Sequence, residues 1–125
     1  MAQFKAVRAN PVFQSTIEAY VPNRDREGKL IHNHENWVRI VETAVCELTG
    51  GACTSYDARG VWRGAYEHCV VVRGTTVGVD YQPLINALGA FAIETKQELA
   101  GFTVDGQWYW AVPKTEEDYV PEVGR

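Results

Sequence analysis

The chain has 125 residues, 46% of them hydrophobic and 22% charged, which suits one globular domain whose core needs no disulfide or metal. Its net charge of −4 excludes a general binder of nucleic acid or anionic membrane, because phosphate recognition needs a positive footprint. No long apolar stretch follows Met1 and no run is long enough to cross a bilayer, so neither a signal peptide nor a membrane span is expected, and a cytoplasmic location is.

Residues 1–11 carry little periodicity and read as an N-terminal arm to a single α+β domain over 12–112. From Val12 the pattern alternates. Phe13, Ser15, Ile17 and Ala19 point one way, and Gln14, Thr16, Glu18 and Tyr20 the other, as in a half-buried strand that Pro22 ends. A charged loop, Asn23 to Gly28, follows. Asn33 then stands as a helix N-cap, with Glu35 in the first turn where the helix dipole favours an anion. Trp37, Ile40, Val41, Ala44, Val45 and Leu48 recur at helical spacing, and Gly50-Gly51 supplies the stop.

Ala52 to Tyr56 reads as a short strand, Asp57 to Gly60 as a turn, and Val61-Trp62 as a possible extension. Arg63-Gly64 turns again. Glu67 to Arg73 contains the β-prone run Cys69-Val70-Val71-Val72 and suits a central strand, with Gly74 and Gly78 flanking a loose connection. A second helix spans Gln82 to Glu98. Its apolar face holds Leu84, Leu88, Phe91 and Thr95, flanked by Ile85 and Ala92, and Pro83 sits in the first turn where its missing N–H costs nothing. Phe102 to Val104 and Gln107 to Val112 are strands around Asp105-Gly106, a dipeptide that tolerates the positive φ of a tight hairpin. Beyond Pro113 the chain turns acidic, so 113–125 reads as a flexible tail.

The order β-α-β-β-α-β with a further β predicts a ferredoxin-like α+β fold with an additional C-terminal hairpin strand. Right-handed crossovers put both helices on one face of an antiparallel sheet and leave the other face open.

Chemistry has few places to sit. No Gly-x-Ser-x-Gly elbow, phosphate loop or dinucleotide fingerprint occurs, so no cofactor is expected and no residue takes a catalytic role. His32, His34 and the Glu67-His68 pair fall at a loop, a helix start and a strand. They read as surface groups rather than metal ligands. Cys46, Cys53 and Cys69 are odd in number, at no metal-like spacing, and read as buried reduced thiols. Trp108 and Trp110 share one face of the last strand, with Tyr109 on the other. They suit a core or dimer contact, or a stacking platform for a planar ligand. Polar Glu94, Thr95 and Gln97 gather at the end of the second helix, as satisfied core groups or as a pocket lining. The candidate ligand-binding residues are Tyr20, Arg24, Thr54, Trp62, Glu67, Glu94 and Gln97.

Tyr20-Val21-Pro22-Asn23-Arg24-Asp25 with Gly28, a helix ending in Gly50-Gly51, Thr54, Gly60-Val61-Trp62, Glu94-Thr95-Lys96-Gln97 and the Asp105-Gly106 hairpin occur in that order. In this the stretch from Tyr20 to Val112 resembles an uncharacterised family of small bacterial and bacteriophage accessory proteins. The segment between Trp62 and Glu67 is shorter than is usual in such proteins, which weighs against a site built on that hairpin. The resemblance implies a protein of phage or mobile-element origin that acts on host defence. The residues then suggest a non-enzymatic binding protein working as a homodimer or other homo-oligomer, with a nucleotide-like small molecule or a host protein as partner. The alternative is a small hydrolase acting on a nucleotide-like ligand.

Overall fold

The structure, a computed structural model, describes residues 5–6, 15–62, 64–76, 80–97 and 99–112, the side chain of Trp62 excepted. Apart from residues 5 and 6, the expected arm over 1–11 lies outside the described residues, as does the acidic tail over 113–125. In chain order the elements are β1 (Ser15–Pro22), α1 (His34–Thr49), β2 (Thr54–Trp62), β3 (Ala65–Thr76), α2 (Gln82–Glu94), β4 (Ala100–Val104) and β5 (Gln107–Ala111). The strands form an antiparallel sheet in the order β2-β3-β1-β4-β5. This is the expected ferredoxin-like α+β arrangement with an extra edge strand.

Alternation along β1 decides which face the helices cover. Ile17, Ala19 and Val21 are fully buried, while their neighbours Glu18 and Tyr20 are only partly so. From β3, Val72 joins the buried side; from β4, Ala100 and Phe102 do. Onto that face α1 lays Trp37, Val41, Ala44, Val45 and Leu48, and α2 lays Leu84, Leu88 and Phe91. Trp37 meets Phe91 edge-on at 5.6 Å between ring centres, which ties the two helices over the sheet. Helix α1 comes close to β3 at Gly74, where a Cβ would clash with the Thr49 methyl.

Several sequence expectations need correction. Ile40 is 45% exposed, because it sits at the margin of the α1 stripe rather than within it. Asn33 occupies the N-cap position, but its side chain makes no capping bond. Asp57 to Gly60 is not a turn. These residues pair with Val70 to Glu67 in one continuous β2–β3 ladder, whose backbone hydrogen bonds outweigh the poor β propensity of Asp and Gly. Gly74 likewise lies inside β3, opposite Ile17. Helix α2 ends at Glu94, not Glu98. Lys96 turns left-handed there (φ 56°), and the Gln97 N–H reaches back to the Ala92 carbonyl at 2.9 Å, closing a Schellman-type stop. The β4–β5 turn forms as expected, with φ 50° at Asp105 and 84° at Gly106. Asp105 also exchanges bonds with the Thr16 backbone, 2.8 Å each, and so anchors the hairpin to β1.

Candidate functional site

The strand registers put Glu18 and Tyr20, Thr54 and Tyr56, Glu67 and Cys69, Val71 and Arg73, Thr103, Trp108 and Trp110 on the face away from the helices. This face is less open than the fold alone suggests. Its centre is dry: Val71, Thr103 and Cys69 are 3%, 4% and 9% exposed. Aromatic rings lie on the same face. Tyr20 stacks on Trp108 at 4.8 Å, and Trp108 on Trp110 at 5.4 Å, making a continuous three-ring row across β1 and β5. Gly101 makes the row possible, because a Cβ there would lie 2.7 Å from the Trp110 ring. The outer sides of Trp108 and Trp110 stay wet, at 47% and 49% exposure. Tyr109 points to the helix side and stacks on Phe102 at 5.5 Å, as its alternation with the tryptophans requires.

One carboxylate, Glu18, borders this row, and a second, Glu67, lies on the same face four residues past the level of Tyr20 on β3. Glu18 accepts a hydrogen bond from the Tyr56 hydroxyl at 3.0 Å. That bond raises the Tyr56 hydroxyl above the ordinary phenol range, and burial followed by the Glu18 charge does the same for Tyr20. Both phenols are therefore neutral donors at physiological pH. Glu67 lies across Gly60, with its Oε1 3.8 Å from where a Cβ would stand. Burial pushes its carboxyl above the usual range, and the nearby Arg24 guanidinium pulls the other way. Burial pushes the Cys69 thiol up to about 12, so it is an inert part of the floor.

Of the seven candidate residues, Tyr20, Thr54 and Glu67 share this face, and Arg24 approaches it from the loop after β1. Thr54 is too far from Glu67 to act with it: six residues separate their positions along the ladder, roughly 20 Å. The Trp62 side chain lies outside the described residues. Glu94 is exposed at the end of α2 and does not join the group. Thr95 and Gln97 have structural partners: the Thr95 hydroxyl donates to the Phe91 carbonyl at 2.5 Å, and the Gln97 amide donates to the Arg24 carbonyl at 2.6 Å. Glu18 and Tyr56 were missed. Their alternation with Tyr20 and Thr54 was in the sequence, but the pairing of β1 with β3, and of β3 with β2, was needed to bring them together.

A concavity of about 850 Å³ lies beside Gln97, between α2 and the end of β5. Arg26 and Lys96 border it, and its floor is alkyl, from Ile85, Ile93, Leu99 and Val112. It contains neither an aromatic ring nor a carboxylate. Among the described residues no group of three metal-capable side chains gathers; His34 instead bonds through Nε2 to the Val21 carbonyl at 2.8 Å.

Gln97→Ala should lower stability by about 1 kcal/mol, since the Arg24 carbonyl loses its partner, and a denaturant titration checks this. For Glu67, a folded-state pKa above the unfolded value means that the folded chain binds the proton more tightly. Stability therefore falls as pH rises from the ordinary carboxylate range through the raised value. Glu67→Gln should raise the melting temperature at neutral pH and leave it unchanged in acid.

No known protein family and no curated protein matches the sequence. Among solved structures the chain is similar to a phage SAM lyase in its apo state, at 14% identity and TM-score 0.53, covering 88% of this chain and 98% of that one. It is similar as well to a phage SAM lyase in complex with S-methyl-5′-thioadenosine, at 13% identity and TM-score 0.52, covering 93% and 100%. At such identity the likeness is one of fold, and it extends over nearly the whole of both chains.

Proposed function

We propose that the aromatic face binds an adenosine-bearing sulfonium of the S-adenosylmethionine class and splits it without water, in a phage or mobile-element accessory protein. The observation that carries this reading is the Tyr20–Trp108–Trp110 row with Glu18 beside it, on the face that Glu67 shares farther along β3. A purine ring stacks on such a row, and a sulfonium is held by ring faces and carboxylates. The fold likeness to a phage SAM lyase supports the choice of ligand. The concavity beside Gln97 fits that ligand poorly, since a net-positive molecule would meet Arg26 and Lys96 there.

The chemistry asks little of the protein. A sulfonium carries its own leaving group, a neutral thioether. The ligand's own carboxylate oxygen attacks the aminocarboxypropyl carbon bonded to sulfur, and the C–S bond breaks with its electron pair going to sulfur. The products are S-methyl-5′-thioadenosine and a five-membered aminolactone, with no water or added proton required. Positive charge on sulfur disappears along the way, so an aromatic surface that displaces the sulfonium's hydration as the ligand binds favours cleavage. Glu67 acts in binding, through the ligand's ammonium group. A carboxylate placed at the sulfur would stabilise the ground state more than the transition state. Consumption of the methyl donor is then how the protein would counter host defences that depend on it.

Stabilisation of the ground state by carboxylates favours one second reading. A face with two carboxylates would retain the intact sulfonium, as a non-enzymatic binding protein. Incubating the protein with S-adenosylmethionine and following both compounds by mass spectrometry separates the two. S-methyl-5′-thioadenosine formed in excess over protein establishes cleavage, and intact S-adenosylmethionine released on denaturation establishes retention. No binding at all would overturn both and point to a host protein as partner. The half-wet tryptophans also lead us to propose a homo-oligomer, for which a native mass spectrum showing only the monomer would be fatal.

A further inference from the structure

We infer that Cys46 and Cys53 form a site of reversible oxidation, closing an intramolecular disulfide that ties the end of α1 to the start of β2. This rests on geometry near the rim of the molecule and is independent of the ligand reading above.

The two sulfurs lie 3.4 Å apart, in thiol–thiol contact, although six residues separate them. Neither cysteine is fully buried, so a small oxidant reaches the pair, whereas Cys69 is buried. The chain between them already turns tightly. Gly50 and Gly51 adopt φ 77° and 118°, and both their N–H groups bond to the Cys46 carbonyl. The contact is reinforced beside it, where the Ser55 hydroxyl donates to the Glu42 carboxylate at 2.5 Å. A disulfide needs about 2.05 Å between sulfurs and little backbone change when the thiols start in contact. A pair that meets only to fill space would be as well served by Ala or Val, which cannot oxidise.

The oxidant is a low-molecular-weight disulfide. The Cys46 sulfur loses its proton, attacks one sulfur of that disulfide and releases one small thiol. The Cys53 sulfur then loses its proton and displaces the second small thiol from Cys46. Two protein thiols give up two electrons and two protons in all, and the small disulfide takes them up as two thiols. Burial, then the neighbouring Cys46, pushes the Cys53 thiol up to about 11, so closure of the bridge quickens as pH rises.

The test uses the intact folded chain and oxidised glutathione. After incubation the protein is denatured, alkylated, and its intact mass measured. The expected product is a monomer lighter by two hydrogens, with one alkylated cysteine of three. Cleavage after Glu47 separates the two positions, so the fragments must stay joined until reduction. The bridged form should melt higher by roughly 5 °C. Cys69→Ser should leave the reaction intact, and Cys46→Ser should abolish it. A glutathione adduct that persists, a bridge that includes Cys69, a covalent dimer, or reaction only after unfolding would each overturn the inference.

Discussion

Replacing Trp37 by alanine is expected to destabilise the fold by about 3–5 kcal/mol, the range for removing a large buried aromatic. Trp37 is 7% exposed and opens the buried stripe of α1. Its ring does more than fill volume. It meets Phe91 of α2 edge-on at 5.6 Å, so its loss leaves a cavity where both helices and the sheet converge. Phe91 is fully buried and cannot swing out to fill the gap. Ile40→Ala, one turn on and 45% exposed, should cost well under 1 kcal/mol. Chemical denaturation of the two variants compares them directly. Equal midpoints would mean that the α1 face is wrongly placed.

That contrast also shows where periodicity stops being informative. A stripe read at helical spacing gives the centre of a buried face, here Val41, Ala44, Val45 and Leu48, but not its width. Ile40 lies at the edge, and only the position of the sheet decides that it stays wet. On β1, alternation was enough, because a period of two offers just two faces. The error at Asp57 to Gly60 has a different origin. Asp and Gly carry a strong local turn signal, yet the long β2–β3 ladder overrides it. Nothing in a local window reports a partner strand.

The same limit shaped the reading of the site. The three polar side chains at the end of α2 suit either satisfied core groups or a pocket lining; two of them serve the helix stop, Thr95 bonding back to Phe91, and Gln97 to Ala92 through its backbone and to Arg24 through its amide, while Gln97 also lines the concavity beside α2. A left-handed Lys96 was not legible, since glycine is the usual residue at that position. The pairing of Trp108 with Trp110 on one face was legible. That Tyr20 completes their row was not, because it depends on β1 lying next to β4, two strands that are far apart in sequence. Pairwise, long-range facts of this kind set the face on which the proposed ligand lies.

Gly101 offers the sharpest probe of that face. A methyl group added there would stand 2.7 Å and 2.8 Å from two carbons of the Trp110 ring and 3.2 Å from Trp108. An indole ring is rigid, so it cannot yield at one atom and must leave the row. Both rings are about half exposed, so they can swing outward without opening the core. Gly101→Ala should therefore keep most of its stability while S-adenosylmethionine binding falls tenfold or more, since one lost stacking surface is worth about 1–3 kcal/mol. Trp108→Ala should do the same more severely, because Trp108 is the middle ring and touches both others. Tyr109→Ala, on the helix face against Phe102, should instead reduce stability and spare binding. Tryptophan fluorescence titrated with ligand, alongside thermal melts, reads both quantities in each variant that keeps its tryptophans, and calorimetry serves for Trp108→Ala. A Gly101→Ala protein that melts early and binds as before would show that the three rings pack the sheet and receive nothing.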